Sequence, residues 1–371
     1  MPEMLTEAER ALAERTRRFA IEMLLPLAEK DEDPGSKRTR VIEASKDAGF
    51  FAMTQPRAFG GSEAGALDLT IVRDELGSFN TPLAGAVFGP GPGVLGGADN
   101  ALKETHLEPL LAGRKRGGFG FTEPDDAPAP TTAVADGDDW LVNGQKSYVT
   151  GGADADFINT LVQIPDAGPA MLVIDTDAPG VTLSRTFSSL DGSHHAAFEF
   201  QDVRVPGHHL IGKPGEGMPR AMQQIGDTRL AFAANAVGTL RWLDAFLVDH
   251  LKKPDRTGNP RGDKEGVRLR YSEIRMKAYA ARSMVYRTAR LAQAGDNIRN
   301  EGMACKIFTT ELVGEAVDTA IQLVGGGALV VGHPLEALYR QVRSLRLAEG
   351  ASDVLRLNLA RGALELDKGR I

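Results

Sequence analysis

Over the first third of the chain, apolar residues recur at intervals of three and four. Leu12, Thr16, Phe19, Ala20, Met23 and Leu27 share one helical face behind a Thr6/Glu9 capping box. Further helices are predicted at about residues 38–50, 66–79 and 100–112, broken by Gly and Pro. Near Gly117 the period changes to two. Thr, Val, Phe and Ile then alternate in short runs, with turn signals at Asp136-Gly137, Asn143-Gly144 and Asp191-Gly192. The strongest hairpin signal is Asn143-Gly144, between Trp140-Leu141-Val142 and Lys146-Ser147-Tyr148-Val149. Past Gly217 the helical period returns, with faces marked by Leu230 to Leu251, Val267 to Ala289 and Phe308 to Val324; a last helix begins near Ser352. The expected fold class is α+β: a helical domain over 1–117, a β-domain over 118–217 and a four-helix bundle over 218–371.

Composition narrows the function. A net charge of −7 argues against a nucleic-acid partner, which clustered Lys and Arg would bind. One cysteine, Cys305, excludes a disulfide framework and a multi-cysteine metal site and reads as a core thiol. The opening run Met1–Arg10 is acidic and polar, unlike a signal peptide, and no apolar run reaches membrane-spanning length. The expectation is a cytoplasmic protein with no membrane insertion.

Several motif matches dissolve on inspection. Gly91-Pro92-Gly93-Val94-Leu95-Gly96 matches a dinucleotide fingerprint by letter, but no strand leads into it, so a loop between helices is expected. Adjacent His194 and His195 would point to opposite faces of a strand, and no metal site is expected.

Four segments gain meaning together: Phe121-Thr122-Glu123-Pro124, Asn143 to Gly151, Ala320 to Gly326, and Arg346 to Ser352. With Ala48-Gly49-Phe50, Phe59-Gly60-Gly61, Phe200 to Pro206 and Tyr339-Arg340 in the same order, the chain resembles the acyl-CoA dehydrogenase family nearly end to end. The resemblance implies an N-terminal helical domain, a middle β-barrel-like domain and a C-terminal four-helix bundle. It implies FAD as cofactor, with Phe121, Thr122, Tyr148, Val149 and Thr150 at the flavin ring and Gln322, Gly325 and Gly326 near the pyrophosphate. Glu349 matches the family's catalytic base, with Arg229 and Gly350 on the substrate side. Other members carry the base on an earlier helix, where Thr228 stands here; threonine cannot serve, which leaves Glu349. The resemblance further implies an acyl-CoA substrate, an electron-transfer flavoprotein as acceptor, and a homodimer or homotetramer, a heteromer being the variant case.

The chain also departs from the family pattern. Ala127-Pro128-Ala129 replaces Gly-Ser-Asp, Tyr148 replaces tryptophan and Ala351 replaces threonine. The segment that brings an arginine to FAD phosphate is degraded to Asp255–Pro260, where Arg256 is the candidate substitute. These departures keep open a same-fold oxidase, monooxygenase or desulfinase, a subunit that completes a partner's FAD site, and a helical scaffold without cofactor. The glycines of 89–97 suggest a widened acyl pocket.

Overall fold

A computed structural model describes residues 4–366 and, within them, all side chains except that of Asn100. The ends of the outer expected domains, residues 1–3 and 367–371, lie outside the described residues. The chain forms two compact units, one of residues 1–53, 64–88 and 226–371, the other of 54–63 and 89–225.

The first unit is helical. α1 (Glu7–Phe19) starts at the reciprocal Thr6/Glu9 cap, Thr6 N–H donating to Glu9 Oε2 at 2.7 Å and Glu9 N–H to Thr6 Oγ1 at 3.3 Å. It passes through a π-turn (Ala20–Leu24) into α2 (Leu25–Ala28). Pro26 has no N–H to continue the ladder, and the register widens just ahead of it. α3 (Pro34–Asp47) and α4 (Ala66–Gly77) complete the first part. Leu24, Leu27, Val41, Phe50, Val72 and Val87 bury one core there.

The other unit opens with short helical pieces. α5 (Asn100–Leu102), a second π-turn (Lys103–Leu107) and α6 (Glu108–Leu111) repeat the first device, with Pro109 after the widened turn. Eight strands follow: β1 (Gly117–Gly120), β2 (Thr132–Asp136), β3 (Asp139–Thr150), β4 (Phe157–Ile164), β5 (Gly168–Asp175), β6 (Val181–Ser188), β7 (His194–Pro206) and β8 (Leu210–Ile211). They form one sheet in the order β6-β7-β3-β2-β4-β5-β8, with β1 parallel to β4. Alternation along β4 and β5 explains its two cores. Ile158, Val162, Leu172 and Ile174 face the core shared with β3 and β7. Phe157, Met171 and Val173 face Leu95, Leu102 and Leu107 of the helical pieces. His106 donates through Nε2 to Asp175 Oδ1 at 3.0 Å, and His209 donates through Nδ1 to Val173 O at 2.8 Å, so this second layer is also tied by polar contacts. The hydrogen bond from His106 holds the Asp175 carboxyl below its usual range, and burial pushes His209 down.

The hairpin expected at Asn143-Gly144 is not there. β3 runs unbroken from 139 to 150, and its turn with β2 lies at Gly137, where φ is 64°. Gly144 serves a close approach: a Cβ there would lie 2.5 Å from Thr131 Cα. Asn143 spends its amide across the β3–β7 pair, with Nδ2 donating to Asp202 Oδ1 (3.0 Å) and Oδ1 accepting from Asp202 N–H (2.9 Å). The local Asn-Gly signal loses to these tertiary contacts.

α7 (Gly217–Lys252) begins in the sheet-bearing unit and continues in the helical one, followed by α8 (Glu265–Gln293), α9 (Arg299–Val324), α10 (Pro334–Ser344) and α11 (Ser352–Leu364). The eleven-residue α10, which carries Tyr339-Arg340, has no counterpart among the helices expected from periodicity. Leu240, Leu243, Leu247, Val285, Val313 and Val317 fill the bundle core with Leu67 and Ile71 of α4, each large side chain contributing about 1.5–3 kcal/mol when fully buried. α4 and α7 cross with their backbones close: a Cβ on Gly238 would meet Asp74 O at 2.4 Å and Gly77 Cα at 2.8 Å. Gly238→Ala is therefore expected to destabilise the protein by about 1–3 kcal/mol, as overpacking against rigid backbone does. An unchanged urea midpoint would show that the crossing yields without cost.

Candidate active site

The loop between α10 and α11 is pinned by cations from three directions. Arg229 of α7 donates through Nε to Glu349 O at 2.9 Å. Lys306 of α9 donates through Nζ to Gly350 O at 2.8 Å. Arg346, within the loop, lies 3.3 Å from Glu311 Oε2 and packs over Gly314, where a Cβ would lie 2.4 Å from its guanidinium. The start of α11 adds a clasp, Ser352 N–H donating to Arg346 O at 2.9 Å. Glu349 is held in the left-handed region (φ 54°), and Gly350 follows at φ 101°. A side chain on Gly350 would be strained by that φ and would crowd Leu355 Cδ2 at 3.0 Å.

The Glu349 carboxylate is half-buried and makes no hydrogen bond or ion pair among the described residues. Burial raises it above the usual carboxylate range, while Arg229 and Lys306 act in the opposite direction. A partly desolvated carboxylate near two cations has the chemistry of a base.

The residues expected around FAD fall in two places. Gln322, Gly325 and Gly326 stand at the end of α9, where Arg261 Nη1 donates to Leu323 O (3.1 Å) and Val324 O (3.0 Å). Gly325 has φ 96°, and Cβ atoms on Gly326 and Gly327 would meet nothing within 4 Å, so this turn is open. Arg256 sits exposed in the loop of Asp255, whose carboxylate accepts from Thr257 N–H (2.8 Å) and Lys264 Nζ (2.9 Å) instead. Arg261 had no sequence signal; its place depends on how the loop folds back on α9.

Phe121, Thr122, Tyr148, Val149 and Thr150 belong to the sheet-bearing unit. Ser147 N–H donates to Thr122 O at 2.8 Å, which sets the two segments side by side. Lys146, almost fully buried, donates to Glu123 Oε1 (2.8 Å) and Phe121 O (3.3 Å); Glu123 Oε1 also accepts from Thr131 N–H at 2.8 Å. Burial lowers the Lys146 ammonium. Opposing its own desolvation, Glu123 is held below the carboxylate range by Lys146 and Thr131. Next to this clamp β3 bulges between Lys146 and Val149. Tyr148 turns out there at φ 55° and is 61% exposed. Thr122 and Thr150 are exposed beside it, whereas Val149 is fully buried and offers only backbone. An aromatic ring, two hydroxyls and strand backbone on a rigid surface suit a flat heteroaromatic ring system.

Two of the glycines in 89–97, Gly93 and Gly97, serve close approach. A Cβ on Gly93 would strike Gln224 Oε1 at 2.5 Å, and one on Gly97 would strike Arg220 Nη1 at 2.1 Å. They make room for side chains of α7's first turns.

Three family models match in order: the acyl-CoA dehydrogenase N-terminal domain over residues 6–114, the middle domain over 118–203 and the C-terminal domain over 215–364. The chain belongs to the acyl-CoA dehydrogenase family, whose members are FAD-binding oxidoreductases. It is 28% identical to the probable acyl-CoA dehydrogenase YngJ of Bacillus subtilis, over 97% of this chain and 99% of that one. Acryloyl-CoA reductase (NADH) of Anaerotignum propionicum is 27% identical, over 97% and 95%. A probable acyl-CoA dehydrogenase of Mycobacterium abscessus shares the fold with a TM-score of 0.84 at 27% identity, covering 96% of this chain and 98% of that one. No helix among the described residues is long and apolar enough to cross a membrane.

Proposed function

We propose that this chain catalyses α,β-dehydrogenation of an acyl-CoA thioester to the trans-2-enoyl-CoA, with electrons leaving to an electron-transfer flavoprotein. FAD, when bound, supplies the acceptor for the β-hydride. Glu349 takes the α-proton. The observation that carries this reading is a half-buried carboxylate, without a hydrogen bond among the described residues, whose own carbonyl and the next are held by Arg229 and Lys306. Burial makes the carboxylate a stronger base, and the two cations act in the opposite direction, favouring its ionised form. Arg229 and Gly350 shape the substrate side: the guanidinium fixes the loop, and the absent Cβ spares a clash with Leu355 next to that guanidinium. Phe121, Thr122, Tyr148, Val149 and Thr150 are assigned to the flavin ring. Gln322, Gly325 and Gly326 are assigned to the pyrophosphate, with exposed Arg256 reaching it across a homodimer or homotetramer.

The test mixes the purified, FAD-loaded protein anaerobically with straight-chain, branched and polycyclic acyl-CoA thioesters. At least one should bleach the flavin, and the reduced complex should react slowly with oxygen because bound thioester shields it. Hydrogen peroxide formed at the rate of turnover would make the protein an oxidase. Reoxidation of reduced flavin by an enoyl-CoA, with no acyl-CoA bleaching it, would assign the reductive direction of the acryloyl-CoA reductase relative. A protein that takes up no FAD would sink the proposal.

A further inference from the structure

Lys306 lies in the first third of α9 with no exposed surface, next to Met303, Ile307 and Thr310. A buried ammonium is costly unless something charged or strongly polar receives it, so its surroundings carry information. The group it reaches is the Gly350 carbonyl, 2.8 Å from Nζ and 44 positions along the chain. The charges facing it are Arg229 from α7, Glu311 on its own helix and Glu349 from the loop. Glu311 is already engaged by Arg346 at 3.3 Å and Arg356 at 3.7 Å, and Arg299 bears on Arg229. Glu349 is the acid of this group without an ion pair among the described residues.

We propose that Lys306 is a positioning residue for the proton transfer: its ammonium fixes the Gly350 carbonyl and, through it, the aim and ionisation of the Glu349 carboxylate. This rests on Glu349 being the base. Glu349 has left-handed backbone, a conformation costly to a non-glycine residue that persists only where the surroundings hold it, and Gly350 follows at positive φ. Arg229 holds the first carbonyl and Lys306 the second, so losing either frees one end of a strained peptide step. Lys306 adds a field effect, since a nearby cation favours the carboxylate form of the base. Burial pushes Lys306 itself down to about 8. The ammonium is therefore present below that pH, and it is lost as pH rises through it.

The test uses full-length, FAD-loaded enzyme and an acyl-CoA that bleaches the wild type. In Lys306→Met the limiting bleaching rate should fall about ten- to a hundredfold, while FAD affinity and half-saturating thioester stay within about twofold. Its acid limb should move to higher pH, because Glu349 has lost a neighbour that favours its ionised form. Lys306→Arg should keep most of the rate and remove the alkaline decline near pH 8, because guanidinium stays charged. A Met variant with wild-type rate and an unmoved acid limb overturns the proposal. So does a rate loss matched by equal loss of FAD binding. If the Met variant does not fold, the Arg variant decides: an alkaline decline left in place overturns the proposal, and its removal supports it. Undiminished bleaching by Glu349→Gln strikes the assignment of the base instead, whatever the Lys306 variants do.

Discussion

Glu349→Gln should bind FAD and acyl-CoA normally and reduce the flavin at least about a hundredfold more slowly, the usual cost of removing a general base with no substitute in reach. The swap is nearly isosteric. It leaves Arg229 on the carbonyl of residue 349 and Lys306 on that of Gly350, so the loop keeps its shape. Glutamine also meets no new difficulty at φ 54°, since glutamate already occupies that conformation. What disappears is the group that accepts the proton, and stopped-flow bleaching at saturating substrate isolates that loss from binding. By the resemblance, Thr228, beside Arg229 on α7, stands where other family members carry the base. Combining Thr228→Glu with Glu349→Gln is therefore expected to restore part of the rate. Near-normal bleaching by Glu349→Gln alone would end the claim that this loop carries the base.

Asp74→Ala should cost about 3–5 kcal/mol of stability, the range for breaking a buried ion pair from one side. Asp74 is fully buried on α4. Its Oδ1 accepts from Arg241 at 3.0 Å, and its Oδ2 accepts from Arg282 at 2.9 Å and from the Tyr286 hydroxyl at 2.8 Å. Neighbouring Glu75 accepts from Arg241 at 3.1 Å and from Arg17 at 3.2 Å. Two arginines from two different helices thus share one carboxylate, which also draws the Tyr286 phenol well above its usual range, burial being the larger cause. Alanine keeps the helix but removes the one carboxylate that both guanidinium groups share. Urea unfolding followed by circular dichroism reads the effect; a midpoint within error of wild type would mean that Glu75 and water replace the carboxylate fully.

The order helical, β, helical was legible because period three-to-four and period two are local properties of the chain. The capping box at Thr6 was legible for the same reason. Asn143-Gly144 failed because its meaning is set by Thr131 and Asp202, neither of which its neighbours announce. The proposed base could be picked out by resemblance alone; its setting could not. Lys306 reads locally as a charge in an apolar helical turn, and only the fold reveals Gly350 above it. Arg261 is likewise invisible until its loop meets the end of α9.

The helical unit is built from the two ends of the chain with the sheet-bearing stretch between them. During synthesis that arrangement imposes a schedule. The core of Leu24, Val41, Phe50, Val72 and Val87 can close as soon as residue 88 has emerged, because all its members are then present. Leu67, Ile71 and Asp74 cannot, since their partners Leu240, Arg241, Arg282 and Val285 have yet to be made. At ribosomal speed, adding the intervening stretch takes of the order of ten seconds. For that time one helix face stays greasy and its acid unpaired. The nascent chain is therefore most exposed to aggregation, and most in need of a chaperone, while its sheet is being translated.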